Sequence, residues 1–333
     1  MRYYGFLILL ALLSWYRVYA YCDFGIGTVA CLEPQKTEKT SDIFTGIRSK
    51  FKEIADASLP SPHSELLLGM TIGLDELSEV PKFKEELKVA GTIHVVVVSG
   101  FNISLVFGMV TGLLGSKYKL KNLVIAQFVT LLYSLLSGFN PPVVRSWIMG
   151  STAAWGKYYG RAIDGLRLLL FSGLIMIVIS PLQLFSLSFQ LSFLATLSLI
   201  LYGGLFTKLF PKLSDLASTL SAQVLVWPLI SHSFGTVSII SPVVNALTLW
   251  TVPLSTVLGG AMLVAGLINV WLSRLIGLFL FPFLDFFTQM VVYFSNLEFS
   301  SVAYEISLRF LIIYYAAALI LGFKLERKFR NQV

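Results

Sequence analysis

Cysteine and histidine are scarce: two Cys and three His in 333 residues leave little material for a metal cage or a catalytic triad. Transport is therefore expected and turnover is not, with no catalytic residue, metal or cofactor assigned. Motifs that couple chemistry to a loop are missing too. There is no GxxxxGK[ST] run, so the chain does not energise transport through a P-loop of its own. HExxH and GxSxG are also absent. Charge is in short supply, at 13 % of residues against 56 % hydrophobic, with a mean hydropathy of +0.78. A soluble fold cannot carry that balance.

What is present is a series of apolar stretches from residue 93 onward, each of about 17 residues or more, long enough to cross a hydrocarbon core of about 30 Å as a helix. The fold class expected is all-α, a polytopic transmembrane helix bundle of about ten spans, some broken or re-entrant. A short outer segment and an interfacial amphipathic helix complete it. The formal charge of +7 does not by itself identify nucleic acid, because the Lys and Arg bias of cytoplasmic loops produces the same excess.

Arg2, the apolar run Phe6 to Leu13 and Val18-Tyr19-Ala20 make residues 1–21 either a short first transmembrane helix or a cleaved signal peptide. Both place residues 22–92 outside. Residues 22–63 form an extracytoplasmic segment, 64–323 a transmembrane domain and 324–333 a basic cytoplasmic tail. From Pro81 to Ala90, Phe83 and Leu87 share a face while Lys84, Glu85, Glu86 and Lys88 lie elsewhere, the pattern of a helix at the membrane interface.

Nine further spans can be drawn, at 93–115, 122–138, 141–159, 166–180, 184–206, 216–231, 242–268, 275–296 and 306–323. With the N-terminus, if uncleaved, and the C-terminus both cytoplasmic, the inner loops receive Lys117, Lys119 and Lys121, then Lys157, Arg161 and Arg167, then Lys208, Lys212 and Arg274, and the tail residues Lys324, Arg327, Lys328 and Arg330. The outer turns at 139–140, 181–183, 232–241 and 297–305 receive none. Pro282 and Asp285 interrupt the span 275–296, where a re-entrant pair is the alternative. Cys22 and Cys31 fall at the start of the outer segment, in a compartment that permits a disulfide between them; two free thiols are the alternative.

Polar residues inside apolar segments need a reason, since unsatisfied groups in lipid cost several kcal/mol. Four places qualify. In Thr92 to Asn102, His94 sits at the outer mouth, Ser99-Gly100 can open the helix, and Asn102 serves either a path or helix packing. In Ser137 to Ser146, Pro141 and Pro142 start a span and Arg145 lies one turn inside it, where a guanidinium either snorkels to headgroups or lines a path for an anion. In Leu184 to Phe193, Ser186, Ser188, Gln190 and Ser192 alternate with large apolar residues; period two suggests a loop or unwound turn, with Gln190 pointing inward. In His232 to Pro253, Asn245 bonds either to a neighbouring helix or to carbonyls freed by Pro253.

Together these places resemble the membrane domain of the ComEC-type competence proteins, the DNA-internalisation channel family of naturally transformable bacteria. The resemblance runs from Glu65-Leu66-Leu67-Leu68-Gly69 and Asp75-Glu76 through Gly91-Thr92-Ile93-His94, Val98-Ser99-Gly100 and Gly138-Phe139-Asn140-Pro141-Pro142-Val143-Val144-Arg145. It resumes in Ser188-Phe189-Gln190-Leu191-Ser192-Phe193-Leu194-Ala195 and in Phe234-Gly235 to Asn245 with Pro253. Where the family has a histidine shortly after Ser-Gly, this chain has Phe101-Asn102. The outer OB-like domain and the hydrolase-like domain of larger members have no counterpart here, so the match is to the membrane core.

The resemblance implies passage of single-stranded DNA through the bacterial cytoplasmic membrane. The partners it implies are the DNA, the lipid bilayer, a cytoplasmic DNA-translocating ATPase, an outer DNA receptor and further copies in a homo-oligomer. The candidate path is His94, Ser99, Gly100, Asn102, Pro141, Pro142, Arg145, Gln190, Ser192 and Asn245, with Phe139, Trp147, Phe189 and Phe193 as aromatics able to stack bases. The alternatives are a small-molecule or lipid transporter on the same core and, more remotely, a membrane enzyme acting at His94.

Overall fold

The computed structural model describes residues 2–25, 28–31, 42–96, 100–115, 119–297, 299–304 and 306–330, with side chains described from 8 to 20 and, outside those gaps, from 44 to 328. The chain opens with α1 (Arg2–Tyr21) and a hairpin of β1 (Cys22–Gly25) and β2 (Thr28–Cys31), then α2 (Asp42–Ser58), α3 (His63–Ile72), α4 (Pro81–Val89) and α5 (Ile93–Val96). Next come α6 (Gly100–Leu113), α7 (Leu120–Leu136), α8 (Pro141–Tyr158), α9 (Gly165–Ile179), α10 (Leu187–Leu209) and α11 (Ser214–Phe234). Strand β3 (Thr236–Ser238), α12 (Ser241–Thr248), α13 (Thr251–Gly266), α14 (Val270–Ser295), β4 (Ser301–Ala303) and α15 (Leu308–Arg330) follow. The expected all-α bundle is what the apolar composition builds, since a helix satisfies its own backbone where no water can.

Among the described residues, four stretches are long and apolar enough to cross a membrane: 93–113, 187–209, 270–295 and 308–328. The pair α12–α13, bent by 50° at its break, makes a fifth if it counts as one span. The apolar helices α7 and α9 have 17 and 15 residues, shorter than a full span, so a count of ten spans is coarse.

The chain divides into two compact units, residues 1–44 with 103–193, and residues 45–102 with 194–333. In the first, α1 lies along α9: the Ser14 hydroxyl donates to the Leu174 carbonyl at 3.1 Å and Arg17 Nε to the Val178 carbonyl at 3.1 Å. Val144 and Ile148 of α8, Met176 of α9 and Phe189 of α10 form an apolar core. The β1–β2 register sets Cys22 opposite Cys31; the disulfide expected between their side chains lies outside the described residues.

In the second unit, α13 and α14 form a long hairpin. Its glycines are seats for α2 and α3, because a Cβ on Gly259 would collide with Leu67 and Thr71, one on Gly266 with Ile54, and one on Gly277 would stand 3.1 Å from the Ser58 carbonyl. All ten residues of α3 are buried, and α4 turns Phe83 and Leu87 inward as its pattern predicts. Strands β3 and β4 pair antiparallel, Val237 opposite Val302, which joins two segments both drawn as outer turns.

Two expectations are corrected. Residues 187–193 belong to helix α10, and the Ser186 hydroxyl accepts from the Phe189 amide at 3.2 Å, a capping bond that starts a helix where the alternation suggested a loop. Arg274 was placed on the face opposite residues 22–92, yet its Nε donates to the Ala57 carbonyl at 3.0 Å. The turn before Arg274 and the end of α2 therefore share one level.

Candidate functional site

The first unit assembles Pro141, Pro142, Arg145, Gln190 and Ser192. Gly138 (φ 84°) and Phe139 (φ 55°) turn the chain sharply after α7, Asn140 precedes α8, and the two prolines occupy its first positions, where no amide hydrogen is needed. Arg145 follows one turn later. Its Nε donates to the Ser192 hydroxyl at 2.8 Å and its Nη1 approaches the Met149 sulfur at 3.4 Å. Among the described residues no carboxylate pairs with it. Here, then, is a half-buried guanidinium oriented by neutral groups, with no carboxylate among the described residues to compensate its charge. Gln190 donates from Nε2 to the Leu184 carbonyl at 3.1 Å, tying α10 to the turn before it.

Of the aromatics proposed to stack bases, Phe189 is buried and stacks on Phe193, with ring centroids 4.2 Å apart. Phe193 in turn fills the space that Gly173 leaves open. Both are core residues. Phe139 is exposed. Trp147 packs on the apolar core but also lines a cavity of about 110 Å³ with Ser104, Gln127, Thr130, Gly150 and Ser151. The Ser151 hydroxyl donates to Gln127 Oε1, while Gln127 Nε2 and Trp147 Nε1 are buried with no partner among the described residues. At about 30 Å³ per molecule the cavity has room for three or four waters. The sequence signal for it was weak, since Gln127 stands alone in an apolar run.

The second unit holds His94, Gly100, Asn102 and Asn245; Ser99 lies outside the described residues. His94 is exposed on α5. Asn102 is buried and donates from Nδ2 to the Met70 carbonyl at 2.8 Å, a bond between α6 and α3 that accounts for its place by packing. Asn245 Nδ2 donates to the Ser241 hydroxyl at 3.2 Å, Gln223 Nε2 donates to the same oxygen at 2.9 Å, and that hydroxyl donates to the Gly91 carbonyl at 3.2 Å. This node joins α11, α12 and the turn before α5; it does not involve a carbonyl freed by Pro253. Interhelical bonds of this kind contribute about 0.6 to 2 kcal/mol each in membranes.

Sequence reasoning missed a further pair. His63 Nε2 lies 3.3 Å from Asp285 Oδ1, and Gln289 donates to Asp285 Oδ2 at 2.6 Å. The two residues are 222 positions apart, and no local spacing links them. Among the described residues no group of three His, Cys, Asp or Glu side chains is arranged to hold a metal ion.

The family model described as "Competence protein" matches residues 70–328. ComE operon protein 3 of Bacillus subtilis (strain 168) is 25 % identical over 280 residues, covering 81 % of this chain and 34 % of that protein. An uncharacterized protein of Aquifex aeolicus (strain VF5) is 30 % identical over 185 residues, covering 50 % of this chain and 44 % of that one. The chain thus spans less than half the length of either relative. No solved structure matches.

Proposed function

The chain belongs to the competence protein family, and on that premise we propose that it conducts single-stranded DNA inward across the bacterial cytoplasmic membrane during natural transformation. A strand with one charge per phosphate needs a hydrated path whose wall offers positive potential without trapping it. Arg145 is the observation that carries this reading. Held by a hydroxyl and a thioether, it keeps its charge available to a passing phosphate, whereas a carboxylate partner would cancel that charge. A cytoplasmic DNA-translocating ATPase supplies the drive, an outer receptor delivers the strand, and the chain itself catalyses no reaction.

A second reading, transport of a small solute, draws on the polar cavity beside Trp147, whose two unpartnered N–H groups would meet a hydrogen-bond acceptor. One experiment separates the two. Labelled DNA is offered to a transformable host that lacks its own channel, complemented by this chain or by Arg145→Ala, Arg145→Lys or Gln190→Ala at equal membrane levels. Protease-protected uptake is expected with the parent chain and to fall at least about tenfold in Arg145→Ala, equivalent to about 1.4 kcal/mol. Arg145→Lys should retain part of it and Gln190→Ala most of it. If a well-inserted parent chain restores nothing even beside an outer-domain partner, DNA conduction is overturned and solute transport takes its place.

A further inference from the structure

Helix α14 has 26 residues, about 39 Å at 1.5 Å per residue, and by length and hydropathy it qualifies as a span. Its packing says otherwise. Residues 45–92 run beside the α12–α14 hairpin over most of its length. Near the turn, Arg274 Nε holds the Ala57 carbonyl at 3.0 Å, the Ser58 and Ser273 hydroxyls meet at 2.9 Å, and Ile54 fills the space over Gly266. Midway, Leu67 and Thr71 cover Gly259, His63 reaches Asp285 at 3.3 Å, and its ring lies 4.9 Å from that of Phe281. At the far end, the Ser241 hydroxyl donates to the Gly91 carbonyl at 3.2 Å.

The covering segment is polar on its outer side, with Lys50, Glu53, Asp56, Asp75, Lys82 and Glu85 exposed. If the hairpin crossed the membrane, this layer would cross with it, at a cost of about 2.5–3.5 kcal/mol for each charge near the bilayer centre. Ion pairs within the layer, Lys84 with Asp75 at 3.2 Å and Lys88 with Glu85 at 2.9 Å, offset part of that sum, but Lys50, Glu53 and Asp56 enter none among the described residues. Strands β3 and β4 pair, so the two ends of the hairpin lie on one side in any case. The remaining face of the hairpin is apolar and open: Ile268 is 84 % exposed, Trp271 75 % and Leu278 70 %, with Val264, Leu275 and Phe279 beside them. An apolar face carrying a Trp opposite a charged layer is the pattern of an element lying in the interface.

We infer that α12, α13 and α14 do not cross the membrane: they form a hairpin lying along its surface on the same side as residues 45–92, with α2, α3 and α4 as its aqueous roof and lipid against its open face. Arg274 then leaves the set of inner basic residues, and the other members of that set are undisturbed. The inference is independent of what the protein transports.

The test uses the full chain in membranes, with Cys22 and Cys31 replaced by serine and single cysteines introduced as Ser49→Cys on α2, Asn269→Cys at the turn and Asn296→Cys at the far end of α14. A membrane-impermeant maleimide should label all three from one face, with yields within about threefold of each other. Labelling of any one from the opposite face overturns the inference. If Asn269→Cys does not accumulate, Leu267→Cys, exposed on the same turn, takes its place. A photo-crosslinking residue at Leu278 should form adducts with lipid; crosslinks to a second copy of the chain, or no lipid adduct, overturn the lipid-facing assignment.

Discussion

Gly91 has φ 71°, a backbone conformation that costs any residue with a Cβ roughly 1 kcal/mol or more, and a Cβ there would stand 2.6 Å from that of Ser241 and 2.8 Å from that of Ser238. Gly91→Ala is therefore expected to destabilise the second unit by about 2 kcal/mol, combining strain with overpacking. A lowered thermal midpoint in detergent checks it. Gly108→Ala is the control, since nothing lies within 4 Å of a Cβ at that position; an equal loss in both variants would refute the argument from crowding. Nothing local in Gly91-Thr92-Ile93-His94 discloses this crowding, because Ser238 and Ser241 arrive from far along the chain. Arg145 is the opposite case. An arginine one turn into an apolar helix is conspicuous in the sequence, and only its partner, Ser192, had to await the fold.

Helix α2 is docked at its polar edge by Lys52, which reaches Glu76 at 2.6 Å and Glu79 at 2.5 Å. The hydrogen bonds that Lys52 donates to Glu76 and then Glu79 hold its ammonium well above its usual range, and the bond from Lys52 depresses Glu79. The raised Lys52 contributes stability fully below its unfolded pKa of about 10.4 and loses it as pH rises through the folded value. The depressed Glu79 contributes above about 4.3 and loses it as pH falls through its lower folded value. Between roughly pH 5 and 10 both contributions stand. The thermal midpoint of Glu79→Gln should therefore lie slightly below that of the parent chain at pH 7, and the gap should narrow as pH falls below about 4.3; a gap that stays constant into acid would mean the contact is not ionic. The amphipathic helix at Pro81 to Ala90 was legible in its own periodicity, since Phe83 and Leu87 are one turn apart. The alternation at Ser186 to Phe193 was misleading for a physical reason: the Ser186 hydroxyl accepts from the Phe189 amide, and that capping bond starts a helix whatever the hydrophobic period that follows.

Across the whole molecule the distribution of Lys and Arg predicts a cytoplasmic C-terminus, which can be checked directly. A fluorescent protein fused after Val333 should fluoresce and a phosphatase fused there should stay inactive, as a cytoplasmic tail requires; the reverse result inverts the topology. Composition alone decided that this is a helical membrane protein, because 56 % hydrophobic residues in long runs leave no alternative to helices closed on their own hydrogen bonds. The ordered motifs from Glu65 to Pro253 were enough to suggest the competence family. The tertiary structure decided what periodicity and hydropathy cannot carry. It divided the nine described candidate path residues between two units and took Asn102 and Asn245 into hydrogen bonds with protein groups. It also covered the most span-like hairpin with a charged layer. Hydropathy measures what a segment could bury and not what buries it, so the choice between lipid and protein as the partner of an apolar helix is made by residues distant in sequence.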